Sequence, residues 1–387
     1  MTANRLIFDG LCSILLRVSL YSDKEREELL SFIVKTRREL HAMPELSSKE
    51  FRTSEYVAEK LRGWGVSYKR AHTGLIAEIE GTNPEVVALR ADFDALPIVE
   101  NTGLPFASTN GNMHACGHDG HTAMLLGATK FLTENKPKYT TRLIFQFGEE
   151  GDGGATTMID GGALDGVNAI YALHLCPELQ KGKVGTRVGA LFAGVVEFDV
   201  EFVGKSAHAA TKSEANDAVA SACEFVTLLD LCRHGDENML LHAGVIKGGQ
   251  ARNIVASACD VECTFRFFDV KQSQTVLAEI GELVNTIGKK YGATGRVTVK
   301  CIYPPLINHG SAVNKLRAMT DVVEMPARFT AEDFAYYLEK VEGAMAWLGV
   351  RDEEHVFPLH SDRFDFDESV LITGTELFIK LANAGVI

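Results

Sequence analysis

A short stretch of the chain is rich in side chains that bind metal ions. Residues 114–121 hold three of the 12 histidines and one of the eight cysteines. Two glycines in this stretch, Gly117 and Gly120, allow the backbone to turn tightly enough for neighbouring side chains to approach one ion. Imidazole and thiolate ligands together are typical of zinc and similar first-row metal ions. The stretch therefore predicts a metal site.

More residues of ligand type follow apolar runs that predict strands. They are Asp92, Asp94, Glu149, Glu150 and His174. In open α/β sheets, sites form at the carboxyl ends of the strands, so these side chains are expected to converge. A single histidine or a glutamate pair is more often structural or solvated, but several such clusters at successive strand ends favour a common site.

The number and type of these residues indicate which ions the site would hold. One thiolate, three imidazoles and one carboxylate suit zinc and other borderline first-row ions, and they do not suit calcium or magnesium. The candidate ligands are Cys116, His118, Glu150, His174 and His360. A single catalytic zinc ion keeps about three protein ligands, so five ligands predict two ions that share one of them. His114, Asp119 and His121 are explained equally well as structural or hydrogen-bonding neighbours.

The elements that would position these residues alternate between strands and helices up to about residue 185, which is typical of an α/β fold with an open sheet. Strands are expected at 85–90, 142–147, 168–173 and 344–349, and a helix at 120–134. From about residue 190 the order becomes β-α-β-β-α-β, which is the ferredoxin-like arrangement. Its strands are expected at 195–203, 240–246, 254–268 and 296–301, and its helices at 217–231 and 270–289. We therefore expect a discontinuous metal-binding domain, 1–189 and 302–387, with an inserted domain at 190–301.

Composition and charge exclude several classes of partner. The 387-residue chain has a formal net charge of −13, which argues against binding to nucleic acid or to an anionic membrane surface. The apolar patch at 11–16 is too short and too interrupted for a membrane span, and no signal-peptide cleavage site follows it. We interpret the patch as the start of an amphipathic helix. The scattered cysteines do not resemble a disulfide framework, so a cytoplasmic location is expected.

Several spaced motifs give the chain a resemblance to the M20 metallopeptidase family, in its branch of N-acyl-amino-acid amidohydrolases such as those acting on hippurate or indoleacetyl-amino acids. The resemblance extends from about residue 30 to the end of the chain. The motifs lie at residues 37–47, 89–97, 113–122, 145–150 and 359–368.

The resemblance implies a role for each residue that matches the family. Cys116 would bridge the two ions. Glu150 and His360 would complete the shell of one ion, and His118 and His174 would complete that of the other. Two further residues would assist: Glu149 as the general base, and Asp94 as the group that orients a ligand imidazole.

The resemblance also assigns the inserted domain to a lid and dimerisation role. His208 would reach the reacting carbonyl from the partner subunit of a homodimer. Asn253 and Arg266 match positions that hold the carboxylate of the substrate in some relatives.

Together these inferences predict an enzyme that uses two divalent ions per subunit (Zn, Mn, Co or Ni) to hydrolyse the amide bond of a small N-acyl amino acid. A dipeptidase and an N-acetyl-diaminopimelate-type deacetylase are the alternatives among enzymes. A non-catalytic metal-binding or thiol-sensing protein that uses Cys116 is the alternative from another class. Glu149 argues against this last alternative, because a pure binding site has no need of a spare carboxylate.

Overall fold

The computed structural model describes residues 21–151 and 153–384, which form two compact units. The small unit comprises Phe192–Leu306 and Ala327–Ala335, and the large unit comprises the other described residues. The amphipathic helix expected from residue 11 lies outside the described residues. In the part of the chain that is described, no helix is long and apolar enough to cross a bilayer.

Helices and strands alternate along much of the chain. The α-helices are α1 (Asp23–His41), α2 (Phe51–Gly63), α3 (His118–Glu134), α4 (Gly154–Asp160), α5 (Ala218–Leu228), α6 (Val270–Tyr291), α7 (Gly310–Met319), α8 (Ala335–Leu338) and α9 (Leu371–Ala384). Short 3₁₀ helices span Ala209–Glu214, Leu229–Arg233 and Glu368–Val370.

The strands complete the two units. They are β1 (Tyr68–Ala71), β2 (Gly74–Ile79), β3 (Asn83–Asp92), β4 (Tyr139–Gln146), β5 (Val167–Gln180), β6 (Val184–Thr186), β7 (Gly189–Phe192), β8 (Gly194–Val203), β9 (Leu240–Gly248), β10 (Ala258–Phe267), β11 (Thr294–Tyr303), β12 (Leu306–Asn308), β13 (Val322–Glu324) and β14 (Gly343–Arg351). The strands and helices expected from the sequence are all present, and their ends differ from the expected ones by a few residues, except for the strand expected at 168–173.

The large unit is built on an eight-stranded mixed sheet in the order β1-β2-β4-β3-β5-β14-β6-β13. The central strands β4, β3, β5 and β14 run parallel to one another. Parallel strands that are buried on both faces have near-continuous apolar sequences, and β14 is buried at every position except its last. This sheet confirms the predicted α/β class.

The small unit has a four-stranded antiparallel sheet in the order β11-β8-β10-β9, with α5 and α6 in the crossings. Its core contains the alternate residues Val196, Phe198, Val200 and Phe202 of β8 and apolar residues of both helices. The order of its elements confirms the ferredoxin-like arrangement.

The register of the central sheet explains how the polar residues meet. Strand β3 ends at Asp92, and its pairing with β5 ends at Arg90 opposite Ala172. The prediction that a strand ends at residue 173 is wrong, because β5 continues to Gln180 through its pairing with β14. His174 still lies two residues beyond the last β3 pair, so it is level with the carboxyl end of β3.

Candidate metal centre and active site

The loop before α3 turns sharply to bring two candidate ligands together. Gly117 has φ of +86°, in the left-handed region that favours glycine. A Cβ atom at this position would lie 2.8 Å from Cδ1 of Leu175, so a larger residue would require this buried side chain to move. The turn lets Cys116 and His118 lie on either side of it with both side chains buried.

His174 presents a ring nitrogen to the thiol of Cys116. Its Nδ1–H donates to the carbonyl oxygen of Leu175 at 2.8 Å, and its Nε2 lies 3.5 Å from Sγ of Cys116. Burial holds the pKa of His174 well below its usual value. The imidazole is therefore neutral, which is the form that binds a metal ion.

His118 is oriented from the opposite side of its ring. Its Nδ1–H donates to Oδ1 of Asp94 at 3.1 Å, while its buried Nε2 has no hydrogen-bond partner among the described residues. Burial alone would lower the pKa of His118, but the nearby carboxylates, first Asp92 and then Asp94 and Glu150, raise it to about 10. These carboxylates thus stabilise positive charge at this position.

Glu150 and His360 form the other side of the site. Oε1 of Glu150 lies 3.0 Å from Nε2 of His360. The backbone of His360 is in the left-handed region, with φ of 63°, and its N–H donates to the carbonyl oxygen of Ala115 at 2.9 Å. The N–H of Glu150 donates to Oδ2 of Asp94 at 2.9 Å, so Asp94 contacts both halves of the site.

These side chains fall into two groups that share one residue. In the described part of the chain, ligand atoms of Cys116, His118 and His174 all lie within 4.8 Å of one another, and so do those of Cys116, Glu150 and His360. Glu149 belongs to a further group of this kind with His118 and Glu150. The five residues expected as ligands, and Glu149, are thus brought together.

The chemistry of this arrangement fits a pair of cations. Burial, followed by the Glu150 and Glu149 carboxylates, raises the pKa of the Cys116 thiol well above its usual value. A cation would offset that effect and stabilise the thiolate, which is the form that binds metals. It would also give the unpartnered Nε2 of His118 a partner. The residues therefore fit two ions with Cys116 between them.

The other polar residues of the 114–121 stretch have different surroundings. His121 donates from Nδ1 to Oδ1 of Asp92 at 2.6 Å and accepts at Nε2 from the N–H of Leu175 at 3.0 Å, so both ring nitrogens are used. Asp119 accepts hydrogen bonds from Arg37 and His41 at 2.8 and 2.7 Å. His114 is buried, and neither ring nitrogen has a hydrogen-bond partner in the described residues. His121 and Asp119 therefore have a structural explanation.

Sequence reasoning missed the polar residues that support the site from the N-terminal segment. Oγ–H of Ser47 donates to Oδ2 of Asp94 at 2.6 Å, and the N–H of Gly148 donates to Oε1 of the buried Glu50 at 3.0 Å. Both residues lie in or next to the motif at 37–47. That motif contributed to the family resemblance, but nothing in its sequence indicates that these side chains are buried beside the site.

The three remaining predicted site residues lie in the small unit. His208 and Asn253 are exposed and adjacent, because residue 208 forms an isolated bridge with Ile254 and the N–H of Ala209 donates to the carbonyl oxygen of Asn253 at 2.9 Å. Arg266 lies on β10, and its Nη2 is 3.5 Å from Oε1 of Glu197. Their roles towards a substrate stay predictions.

The chain is similar to known proteins in both sequence and structure. Residues 88–384 match the peptidase family M20/M25/M40. The chain is 37% identical over 365 residues to the N-acetyl-L-cysteine deacetylase of Bacillus subtilis (strain 168), covering 90% of this chain and 87% of the relative. It is 36% identical over 368 residues to the N-acetyldiaminopimelate deacetylase of the same strain, covering 91% and 96%. A crystal structure of a dinuclear metal-binding peptidase of the M20 family, also from Bacillus subtilis, has a TM-score of 0.84 and 32% identity, covering 93% of this chain and 98% of that one.

The large unit combines a mixed sheet with two groups of metal-binding residue types that share Cys116, an arrangement that suits metal-dependent hydrolysis. The family match makes that class specific: the chain belongs to the peptidase family M20/M25/M40. It is accordingly a metal-dependent amidohydrolase. Membership of this enzyme family argues against the alternative of a non-catalytic metal-binding or thiol-sensing protein.

Proposed function

We propose that this protein is an N-acetyl-amino-acid deacetylase, which hydrolyses the amide bond of its substrate to acetate and a free amino acid. The names of the two relatives support this alternative over the broader expectation of an N-acyl-amino-acid hydrolase that accepts larger acyl groups. The observation that carries the proposal is the pair of ligand groups sharing Cys116, with Glu149 in a third group beside them.

The ligand assignment is part of the proposal. Glu150 and His360 would hold one divalent ion, His118 and His174 would hold the other, and Cys116 would contact both. When bound, the ions supply Lewis acidity, which makes water acidic enough to lose a proton near neutral pH and polarises a carbonyl group.

Two carboxylates of the chain would take part in the reaction. One would transfer the proton, and the other would orient a ligand of the metal ions. Glu149 would accept the proton of the attacking water on a carboxylate oxygen and deliver it to the nitrogen of the leaving amino group. Asp94 would hold the imidazole of His118 through Nδ1–H, which fixes the tautomer with a lone pair on Nε2.

The small unit would contribute recognition of the substrate. His208 would stabilise the negative charge that develops on the carbonyl oxygen, in a homodimer where it is supplied by the partner subunit. Asn253 and Arg266 would bind the carboxylate of the substrate, since an amide and a guanidinium both donate hydrogen bonds to such a group. The exposure of His208 and Asn253 supports a role that requires access to a ligand.

A cytoplasmic location also stays a prediction.

A substrate panel tests the proposal. The metal-free protein is reconstituted separately with zinc, manganese, cobalt or nickel and assayed with N-acetyl-diaminopimelate, N-acetyl-cysteine, other N-acetyl amino acids, hippurate and dipeptides. We expect the highest kcat/KM with an N-acetyl amino acid, and no turnover by the metal-free protein. Preference for hippurate would favour the broader acyl specificity, and preference for a dipeptide would favour a dipeptidase. Either preference would overturn the deacetylase assignment.

A further inference from the structure

Glu50 is a buried carboxylate that none of the proposed catalytic steps uses. It lies immediately before α2, and its residue is 0% exposed. Its Oε1 accepts hydrogen bonds from the N–H of Ser48 at 2.8 Å and from the N–H of Gly148 at 3.0 Å, and its Oε2 accepts from Oγ–H of Thr73 at 2.8 Å. Because both oxygens have fixed partners, the side chain has one well-defined position.

The contact with Gly148 falls at a sensitive point of the backbone. Gly148 directly precedes Glu149 and has φ of +67°, in the left-handed region. Its carbonyl oxygen accepts hydrogen bonds from the N–H groups of Gly153 and Gly154 at 3.2 and 3.1 Å. The hydrogen bond from the N–H of Gly148 to Glu50 fixes the peptide group before Gly148. The hydrogen bonds to its carbonyl oxygen fix the peptide group after it.

The backbone on the other side of Glu149 is held in a similar way. The N–H of Glu150 donates to Oδ2 of Asp94 at 2.9 Å, and the same oxygen accepts from Oγ–H of Ser47 at 2.6 Å. Glu149 is therefore flanked by two backbone N–H groups that are each bound by a buried carboxylate from a distant segment. Holding the backbone on both sides of a residue restricts where its side chain can point.

We propose that Glu50 is a positioning residue that binds the N–H of Gly148 and thereby fixes the carboxylate of Glu149 for proton transfer. This proposal rests on the proposed role of Glu149 as general base. A displacement of about 1 Å in a catalytic group can lower the rate by roughly 100-fold, so the hydrogen bond from Gly148 is expected to affect kcat more than KM.

The hydrogen bonds of Glu50 depend more on the length of its side chain, here called its reach, than on its charge. Burial raises the pKa of Glu50 to about 7, although its hydrogen bonds act in the opposite direction. A glutamine has the same length, and its Oε1 accepts from the same two N–H groups. Its Nε2–H₂ group donates to the hydroxyl of Thr73, whose own proton then faces Nδ1 of His72, 3.2 Å away. An aspartate keeps the charge, but it is shorter by about 1.5 Å, one carbon–carbon bond.

Four variants separate these properties: Glu50→Gln, Glu50→Asp, Glu50→Ala and, as a matched control, Glu59→Ala on the exposed side of α2. For each metal-loaded variant we measure kcat, KM and bound metal, together with deuterium exchange of the peptide that contains Gly148. We expect Glu50→Asp and Glu50→Ala to lower kcat roughly 10- to 100-fold with KM within about three-fold, and to speed exchange at Gly148. Glu50→Gln is expected to stay within about three-fold of the unaltered protein, like the control.

The outcomes distinguish this proposal from the proposed function. If the unaltered protein hydrolyses no panel substrate, the proposed function fails, and the exchange rates still decide whether Glu50 holds Gly148. If it is active but Glu50→Asp matches it in kcat and in exchange, the proposal for Glu50 alone is overturned. An equal loss in Glu50→Gln and Glu50→Asp would also overturn it, because a side chain that keeps the reach of Glu50 would then fail to preserve activity. If Glu50→Ala does not fold, the comparison of glutamine with aspartate gives the same decision.

Discussion

Two adjacent arginines on α1 offer a test of how burial changes the contribution of an ion pair to stability. Both Arg37 and Arg38 contact Glu368, but the Arg37 side chain is 1% exposed and that of Arg38 is 49% exposed. Arg37 also pairs with Asp119 at 2.8 Å and with Asp365 at 3.2 Å. Replacing each arginine with methionine keeps most of the aliphatic volume and removes only the charge and its donors.

The expected magnitudes follow from what each substitution leaves behind. Arg37→Met leaves Asp119, which is 1% exposed, without its guanidinium partner, and removing one partner of a buried pair costs about 3–5 kcal/mol. Arg38→Met breaks a pair that solvent screens, which is worth about 0–1 kcal/mol. Unfolding in guanidinium chloride and scanning calorimetry of both variants measure the difference in their free energies of unfolding. Equal destabilisation by the two substitutions would refute the reasoning.

The same pair predicts a dependence on pH. Burial alone would raise the pKa of Asp119, but Arg37 and His41 outweigh it and hold this pKa far below the usual range. A group with a lowered pKa in the folded state adds stability above its unfolded pKa, about 3.9, and loses it as the pH falls. The gap in stability between the unaltered protein and Arg37→Met should therefore narrow below about pH 4. A gap that widens there would contradict the assignment.

Three substitutions test the proposed roles at the site. Glu149→Ala should keep its bound metal and lose about 10²- to 10⁴-fold in kcat; high residual turnover in a metal-loaded sample would exclude it as the general base. Asp94→Ala removes the acceptor for His118, Ser47 and the Glu150 N–H, and should weaken metal binding about 10- to 100-fold in a competition titration with a chelator; unchanged affinity would argue against its orienting role. His208→Ala should lower kcat without loss of metal, and mixing it with Glu149→Ala subunits should restore some activity; verified mixed dimers without recovery would argue against a shared site.

Much of the fold could be predicted because its signals are local. The apolar run at 344–349 reflects a strand that is buried on both faces. The alternation along 195–203 reflects a strand that is buried on one face. The end of β5 was predicted wrongly, since its continuation to Gln180 depends on pairing with β14, more than 150 residues further along the chain. A partner so distant in sequence leaves no local signal at His174.

The candidate site could be predicted in part for a similar reason. Ligand-type residues such as Cys116 and His118 are unusual in composition and spacing, so the sequence alone predicts them as candidate ligands. Glu50 and Arg37 lie in a segment of ordinary charged composition, and their importance comes from burial beside Gly148 and Asp119. Burial of a charged residue depends on tertiary packing, which sequence patterns do not reveal.

We propose that five side chains hold two divalent ions, with Cys116 shared between them. The most direct test is elemental analysis of purified, active protein that has not been exposed to a chelator. The number of metal ions per chain is measured for the unaltered protein and for Cys116→Ala. The account predicts two first-row transition-metal ions per chain, and fewer in the variant because both sites lose a ligand. Active protein that carries no transition metal, or a variant that keeps both ions as tightly, would contradict it.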